Sequence, residues 1–178
     1  MSGFTVWLTG LPSAGKTTVG DLVAAALANR GLLVERLDGD IVREHLSAGL
    51  GFSREDRDMN VIRIGWVASR LTRAGAAVVV SVIAPYAETR RTVRLLVEEQ
   101  GPFVEVHVHA SIEACRRRDV KGLYRRASLG EIGHLTGVSD PYENPEAPDV
   151  RLETESEEPR ESAERVLGRL DERGIVRR

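Results

Sequence analysis

The fold is decided by the stretch Gly10-Leu11-Pro12-Ser13-Ala14-Gly15-Lys16-Thr17, which fits the pattern G-x-x-x-x-G-K-S/T at every fixed position. Its neighbours fit as well. The apolar, β-branched run over residues 4–9 predicts a buried strand, and residues 17–29 predict a helix. A strand, a glycine-rich turn and a helix in this order form a loop that can wrap an anion with its backbone N–H groups.

The residue types in this loop indicate a nucleoside triphosphate site. Gly10 and Gly15 lack the Cβ atoms that would keep the backbone away from a phosphate. The unpaired N–H groups and the dipole at the start of the helix favour negative charge. We expect Lys16 to reach the β- and γ-phosphates and the Thr17 hydroxyl to ligate Mg²⁺. A glycine turn ahead of an ordinary helix is the alternative, and it is disfavoured because both the spacing and the context of the motif are satisfied.

Composition excludes several classes of protein. The chain has 178 residues, 42% of them hydrophobic and 29% charged, which is typical of one soluble globular domain spanning residues 1–178. Its net charge of −2 disfavours a nucleic-acid partner. No run approaches the ~20 apolar residues that span a bilayer, so we expect no membrane association. The single cysteine, Cys115, allows no internal disulfide, and this is typical of a cytoplasmic protein.

Strands and helices are predicted to alternate along the chain. Predicted strands cover residues 4–9, 32–37, 76–83, 103–109 and 149–153, and predicted helices cover 17–29, 41–46, 53–75, 88–99, 111–118 and 159–173. This order predicts an α/β fold of the P-loop NTPase type, a doubly wound parallel sheet of about five strands with helices on both faces. Ligands of such folds bind at the carboxyl ends of the strands, so loop 10–17 and residues 38–40 and 83–86 are expected to surround one crevice.

A long segment late in the chain carries the second of only two lysines. Residues 121–148 are rich in Gly, Pro, Asp and Ser, and ordered loops of this length are usually functional. We predict a lid over approximately residues 119–148, called the lid segment below. Apart from the histidines, every basic residue other than Lys16 and Lys121 is arginine. A lysine retained in such a chain favours a site for a compact charge, such as a phosphate.

The absence of two motifs disfavours two classes of nucleotide-binding protein, the GTPases and the ATP-driven machines. The guanine-reading motif N-K-x-D of GTPases does not occur, and the apolar strand 76–83 ends without the acid of ATP-driven machines. The nearest acids at a strand end are Asp38 and Asp40, separated by one glycine. A small-molecule kinase needs such a pair, one acid for the metal ion and one to orient the attacking hydroxyl. Taken alone, the triplet is equally typical of a tight turn held by Asx hydrogen bonds.

Further motifs occur in a fixed order along the chain. They are 10–18; Leu37-Asp38-Gly39-Asp40 with Arg43; Gly51-Phe52-Ser53 with Asp56-Arg57 and Asn60; Ile83-Ala84-Pro85-Tyr86; Arg118-Asp119-Val120-Lys121-Gly122-Leu123-Tyr124; and Thr136-Gly137-Val138-Ser139-Asp140-Pro141-Tyr142-Glu143. The last two are very specific in this order and spacing. In these motifs the chain resembles the adenylylsulfate (APS) kinase family over roughly residues 4–175.

The resemblance implies an activity and its partners. The implied reaction transfers the γ-phosphate of ATP to the 3′-hydroxyl of adenosine 5′-phosphosulfate (APS) and gives PAPS, the activated sulfate donor. ATP and Mg²⁺ are the implied cofactors, and APS is the implied partner. Family resemblance also implies a homodimer and a functional coupling to ATP sulfurylase.

The resemblance also assigns roles to individual residues. Catalytic roles fall on Lys16, Asp40 and Lys121. ATP contacts fall on Gly10, Leu11, Pro12, Ser13, Ala14, Gly15, Lys16, Thr17, Thr18 and Arg118, and contacts to Mg²⁺ fall on Thr17 and Asp38. Acceptor contacts fall on Asp38, Asp40, Arg43, Phe52, Arg57, Asn60, Ile83, Ala84, Lys121, Gly122, Leu123 and Leu135. Guanidinium forks suit the phosphosulfate, and an aromatic ring suits the adenine face.

Two positions depart from the family pattern. Many members have serine in place of Ala84, and this serine is phosphorylated in some of them; alanine has no hydroxyl, so we expect direct in-line transfer. Leu135 stands where many members have a phenylalanine that completes a sandwich around adenine. These departures leave open a related kinase with another nucleotide-linked hydroxyl acceptor. A non-catalytic nucleotide-binding partner of ATP sulfurylase is a further alternative, which the intact Lys16 and Asp40 disfavour.

Overall fold

The computed structural model describes residues 3–176, and a parallel sheet lies at its centre. Its strands in these residues are β1 (Phe4–Thr9), β2 (Val34–Asp38), β3 (Ala77–Ser81), β4 (Phe103–His109) and β5 (Val150–Glu153). They lie in the order β2-β3-β1-β4-β5, and every neighbouring pair is parallel. The chain therefore leaves β1 toward one side of the sheet and later crosses from β3 to the other side. A ligand crevice is expected at the carboxyl end of β1, where the strand order reverses.

Helices cover both faces of the sheet. They are α1 (Lys16–Asn29), α2 (Gly39–His45), α3 (Arg54–Arg73), α4 (Ala87–Glu98), α5 (Ile112–Arg118), α6 (Leu123–Ser128) and α7 (Pro159–Glu172). One hydrophobic cluster joins α1 and α7 to one face, and a second cluster joins α3 and α4 to the other. The predicted doubly wound α/β fold with about five strands is confirmed.

Strand β1 is buried along its whole length, and its side chains alternate between the two clusters. Phe4, Val6 and Leu8 pack toward α1 and α7, whereas Trp7 packs toward α3 and α4. This alternation follows from the period of two residues in a strand. Hydrogen bonds on both edges and apolar contacts on both faces fix the end of β1, from which the glycine-rich loop emerges.

The lid segment contains a short helix that the sequence did not predict. Gly122, with φ of 65°, precedes α6, and the Asp119 carboxylate accepts hydrogen bonds from the backbone N–H groups of Tyr124 (3.0 Å) and Arg125 (2.9 Å). The Tyr124 hydroxyl donates to the Pro12 carbonyl at 3.0 Å. Six residues are too few for a periodic pattern, so capping and a tertiary contact, rather than periodicity, define this helix. Strand β3 also ends at Ser81, two residues earlier than predicted.

A membrane-spanning helix is not present among residues 3–176, because none of the helices there combines the necessary length with the necessary apolar character.

Two helix glycines in different surroundings provide a test of the packing. A Cβ atom added at Gly65 in α3 would lie 2.6 Å from a methyl group of Val93 in α4, whereas one added at Gly168 in α7 would meet nothing within 4 Å. We expect Gly168→Ala to raise the free energy of unfolding by about 0.5–1 kcal/mol, because alanine is the better helix former. Gly65→Ala should lower it by about 1–3 kcal/mol through overpacking. Urea denaturation of both variants measures the difference, and a stabilised Gly65→Ala protein would contradict the tight α3–α4 contact.

Candidate active site

The loop between β1 and α1 depends on two glycines. A Cβ atom on Gly10 would lie 2.3 Å from the carbonyl oxygen of Val108 in β4, so no larger residue fits there without a shift. Gly15 precedes α1 with φ of 103°, a conformation that residues with a side chain rarely adopt. No side chain caps the helix at this point. The first N–H groups of α1 are therefore free to face an anion.

Lys16 lies over this loop with its ammonium group already solvated by the backbone. Its Nζ donates to the carbonyl oxygens of Gly10 at 2.9 Å and Leu11 at 2.7 Å. Burial lowers the pKa of Lys16 from its ordinary value to about 8, and the nearby charge of Lys121 acts in the same direction. The two carbonyl groups do not fully replace the water that burial removes, so a phosphate anion beside this ammonium group would favour its charged form.

Asp38, at the end of β2, joins the loop to helix α2. One of its carboxylate oxygens accepts a hydrogen bond from the Thr17 hydroxyl at 2.8 Å, and the other accepts from the backbone N–H of Asp40 at 3.1 Å. The second bond makes Asp38 the N-cap of α2. Asp38 thus makes the local hydrogen bond of the Asx interpretation, and the roles of the two carboxylates in a kinase stay a prediction.

Lys121 of the lid segment forms an ion pair with Asp40. Both side chains are more than half exposed, so this pair contributes little to stability and can open without a large penalty. The contact joins residues 81 positions apart in the chain. It brings the lid segment to the same edge of the sheet as the glycine-rich loop.

A cleft of about 1000 Å³ lies between these elements. Its walls come from the glycine-rich loop, from strand ends, from α2 and α3, and from the lid segment. Predicted site residues that line it are Pro12, Ser13, Gly15, Lys16, Thr17, Thr18, Asp38, Asp40, Arg43, Phe52, Arg57, Asn60, Ile83, Ala84, Arg118, Lys121, Leu123 and Leu135. Gly10, Leu11, Ala14 and Gly122 lie outside its lining, where they shape the loop and the start of α6.

Two arginines lie close to one aromatic ring at the α3 side of the cleft. The guanidinium carbon of Arg43 lies 4.3 Å from the centroid of the Phe52 ring, and that of Arg57 lies 5.7 Å from it. Phe52 itself is half exposed. Burial lowers the pKa of Arg43, and the positive charge of Arg57 adds to the effect. Two neighbouring cations beside an open aromatic ring favour a ligand with an anionic part and a flat part.

Arg57 also ties α3 to the lid segment. Its guanidinium donates to the Thr136 hydroxyl at 2.7 Å, to the Asp140 carboxylate at 2.8 Å and to the His134 carbonyl at 3.1 Å. The Arg57 side chain is 9% exposed. A ligand anion at this arginine would therefore bind beside a guanidinium that is already held in place by the lid segment.

Asn60 presents a buried polar atom to the same side of the cleft. Its residue is buried, and its Oδ1 atom has no hydrogen-bond partner. An unpaired buried acceptor is costly unless a ligand or a water supplies a donor. The family resemblance assigned Asn60 to the acceptor; the residue lines the cleft, and its contact to an acceptor stays a prediction.

Three further predicted acceptor residues, Ile83, Ala84 and Leu135, also line the cleft. Ile83 and Ala84 follow β3, and Ala84 has φ of 45°, which is unusual for a residue other than glycine. Leu135 is buried in the cluster beneath α1 and also lines the cleft. A leucine in this place offers apolar cover to a ring but no aromatic face.

Arg118, at the end of α5, lies against the other side of the glycine-rich loop. Its guanidinium donates to the Thr154 hydroxyl at 3.2 Å and to the Thr154 carbonyl. Thr154 in turn donates to the Ala14 carbonyl at 2.7 Å. The guanidinium is thereby held at the cleft wall beside the start of α1.

The match to a family model decides the family. A model described as adenylylsulphate kinase matches residues 2–153. The chain belongs to the adenylylsulphate kinase family.

Relatives in this family match nearly the whole chain. An adenylyl-sulfate kinase from a Picosynechococcus species is 53% identical over 174 residues, which are 98% of this chain and 97% of the relative. The APS kinase of Mycobacterium tuberculosis, solved in complex with AMPPNP and APS, has a TM-score of 0.92 and 41% identity over 96% of this chain and 98% of its own. A hexameric APS kinase from Thiobacillus denitrificans has a TM-score of 0.78 and 40% identity over 99% of this chain and 30% of its own.

Kinases in general act on a nucleotide bound to Mg²⁺, and two oxygen donors beside the glycine-rich loop would fit this ion. Thr17 Oγ1 and Asp38 Oδ2 lie 2.8 Å apart beside the glycine-rich loop, and both are hard oxygen donors. No group of three or more His, Cys, Asp or Glu side chains within residues 3–176 is arranged to hold a metal ion. Two protein oxygens with substrate phosphates and water match the usual surroundings of Mg²⁺ in kinases.

Two stretches of the cleft wall were missed by the sequence analysis. Residues 154–159 follow β5, and residues 131–134 belong to the lid segment. The first stretch could have been found, because ligands of a parallel sheet lie beyond the carboxyl end of each strand. Residues 131–134 carry no recognisable motif, and only the chain path around α6 brings them to the cleft.

The lowered pKa of Lys16 leads to a test by proton linkage. Near pH 8 the empty site holds Lys16 partly neutral, and a bound triphosphate favours its charged form, so we expect nucleotide binding to take up about half a proton per site at pH 8. Affinity should fall as the pH rises through this range. Calorimetry in buffers of different ionisation enthalpy measures the uptake.

A matched variant isolates this proton. The guanidinium of Lys16→Arg stays charged at these pH values, so nucleotide binding to that variant should take up no such proton. Binding heats at pH 8 that are independent of the buffer in the unmodified protein would contradict the lowered pKa.

Proposed function

We propose that the protein transfers the γ-phosphate of ATP to the 3′-hydroxyl of APS, giving ADP and PAPS. The observation that carries this proposal is the contact between Lys121 and Asp40 in the cleft that Lys16 also lines. It brings a glycine-rich loop, a carboxylate at a strand end and an exposed cation of the lid segment together in one place. Phosphoryl transfer requires such a meeting of charges, because positioning and charge neutralisation supply most of its catalysis.

The glycine-rich loop is proposed to hold the triphosphate. Its backbone N–H groups and the start of α1 would surround the β-phosphate, and Lys16 would move from the carbonyls of Gly10 and Leu11 to the β- and γ-phosphate oxygens. Arg118 would lie against the adenine of ATP. Mg²⁺, when bound with the nucleotide at Thr17 and Asp38, would neutralise phosphate charge.

APS is proposed to bind on the α3 side of the cleft. Arg43 and Arg57 would hold the phosphosulfate, which is an oxyanion group suited to guanidinium forks. Phe52 would stack on the adenine, with Leu135 covering the opposite face. The unpaired Oδ1 of Asn60 would accept a hydrogen bond from the nucleotide.

The transfer itself is proposed to be direct. Asp40 would orient the 3′-hydroxyl of APS and accept its proton while the oxygen attacks the γ-phosphorus and the bond to ADP breaks. Lys16 and Lys121 would neutralise the charge on the transferring group from two sides. Ala84 has no hydroxyl, so no phosphoenzyme can form at this position.

We propose residues 1–178 as one kinase domain with the lid segment over both substrates. Resemblance to the family supports a homodimer and functional coupling to ATP sulfurylase. Light scattering tests the homodimer, and co-purification tests the coupling. A cytoplasmic location is proposed from the single cysteine, Cys115, which is buried and free.

The experiment that tests the activity uses purified protein with ATP, Mg²⁺ and APS. We expect ADP and PAPS to form in equal amounts. Phosphorylation of a different nucleotide-linked hydroxyl, with APS left unchanged, would favour the related kinase instead. Tight ATP binding without transfer to any such acceptor would contradict an enzymatic role.

Replacement of Asp40 tests its proposed role in orienting the hydroxyl. We expect Asp40→Asn to lower kcat by about a hundredfold or more, since asparagine neither accepts the proton nor pairs with Lys121. The dissociation constant of ATP should change little, because the triphosphate contacts lie on the loop. Glu44→Gln, an exposed change on the same helix, is the matched control. An unchanged kcat in Asp40→Asn would remove this carboxylate from the mechanism.

A further inference from the structure

Three consecutive residues after β3, Ile83, Ala84 and Pro85, form one wall of the cleft, and the carbonyl group of each has a tertiary partner. The Ile83 carbonyl accepts from the Thr9 hydroxyl, and the Ala84 carbonyl accepts from Arg90 Nη1 at 2.7 Å. The Pro85 carbonyl accepts from the backbone N–H of Glu143 at 2.9 Å. Residues 83–85 line the cleft, whereas Thr9, Arg90 and Glu143 lie outside its lining. This wall is therefore shaped from behind.

The backbone of the wall needs such support. Ala84 has φ of 45°, and a residue with a Cβ atom keeps this conformation only when its surroundings impose it. The bond from Arg90 to the Ala84 carbonyl fixes the peptide group that follows this torsion. Arg90 is thus the charged group that imposes the turn.

The same guanidinium group also binds the end of the lid segment, at Glu143. Arg90 Nη2 donates to the Glu143 carbonyl at 2.7 Å, and its Nε faces the Glu105 carboxylate at 3.3 Å. The Arg90 side chain is 4% exposed and lies against the Tyr142 ring, whose centroid is 5.7 Å from the guanidinium carbon. One planar fork therefore spans two carbonyls, one on the cleft wall and one on the lid segment.

A second set of contacts makes the same connection without Arg90. The Glu143 carboxylate accepts from the backbone N–H of Ala87 at 2.7 Å, and the hydroxyls of Tyr142 and Thr9 lie 2.9 Å apart. Ala87 begins α4, directly after the wall. The end of the lid segment and the cleft wall are thus joined on both sides of Arg90.

We propose that Arg90 is a positioning residue for the acceptor, acting through the wall 83–85 and the lid segment rather than by touching either substrate. This inference rests on the proposed function, in which APS binds against this wall. The fork sets the wall and the end of the lid segment in one fixed relation, so that the acceptor meets a preformed surface. Lysine cannot replace it, because one ammonium group lacks the planar pair of donors that reaches two carbonyls.

Two variants and a matched control test the proposal. Arg90→Lys keeps the charge that faces Glu105 and removes the fork. Glu143→Ala removes the carboxylate bond to Ala87 from an exposed residue, so it leaves the core intact. Arg91→Lys makes the same chemical change at the neighbouring exposed position of α4. Steady-state kinetics with ATP and APS are measured for each, together with hydrogen–deuterium exchange of segments 83–91 and 137–148.

The expected result separates positioning from stability. Arg90→Lys and Glu143→Ala should raise the KM for APS by about tenfold while kcat and the KM for ATP change by less than about twofold, and exchange should quicken in both segments. Arg91→Lys should match the unmodified protein in every measurement. An unchanged KM for APS in Arg90→Lys, or an equal change in all of its kinetic constants, would overturn the proposal.

The same data separate this proposal from the proposed function. If the unmodified protein does not use APS, the proposed function is wrong. Hydrogen–deuterium exchange then still tests whether Arg90 joins the cleft wall to the lid segment. Exchange that stays unchanged in Arg90→Lys would overturn that link whether or not APS is the acceptor.

Discussion

The site depends on the fixed position of the end of β1. This strand is buried on both faces and paired on both edges, so its carboxyl end has no freedom to move relative to β3 or β4. The glycine-rich loop leaves from that end and passes so close to Val108 in β4 that Gly10 has no room for a side chain. Three other parts of the cleft are tied to this loop: Asp38 through Thr17, Arg118 through Thr154, and α6 through the bond from Tyr124 to Pro12.

The charged groups of the cleft are paired with the protein itself. Lys16 donates hydrogen bonds to loop carbonyls, and Asp38 accepts one from Thr17. Lys121 forms an ion pair with Asp40. These partners are either neutral or well exposed, so substrates can replace them with a small loss of free energy. Arg57 differs, because it is buried and bonded to the lid segment. The pairs that substrates can replace therefore lie where the chemistry is proposed. The fixed contacts of Arg57 lie where the acceptor is proposed to bind.

Much of this arrangement could be predicted from the sequence. Apolar runs and helix caps located the sheet and most helices within one or two residues, and the motif at residues 10–17 located the loop. The convergence of residues 38–40 and 83–84 on that loop followed from the rule for parallel strands.

The helix α6 could not be predicted, since capping by Asp119 and a tertiary contact define it in place of a hydrophobic period. Arg90 was missed for a related reason: it donates to the backbone carbonyls of Ala84 and Glu143, and neither residue type marks its carbonyl as an acceptor. The assigned roles of the cleft residues stay predictions.

The placement of the two lysines has a practical consequence. Lys16 and Lys121 are the only lysines in the chain, and both line the cleft of about 1000 Å³. Reagents that modify primary amines can therefore react with these two lysines and with the amino terminus, but with no other lysine. Coupling to an amine-reactive support or dye would alter the cleft first, so attachment chemistry for this protein is better directed to other groups. Conversely, an amine-reactive nucleotide analogue would have two targets facing the same bound molecule, which makes the chain a simple subject for affinity labelling.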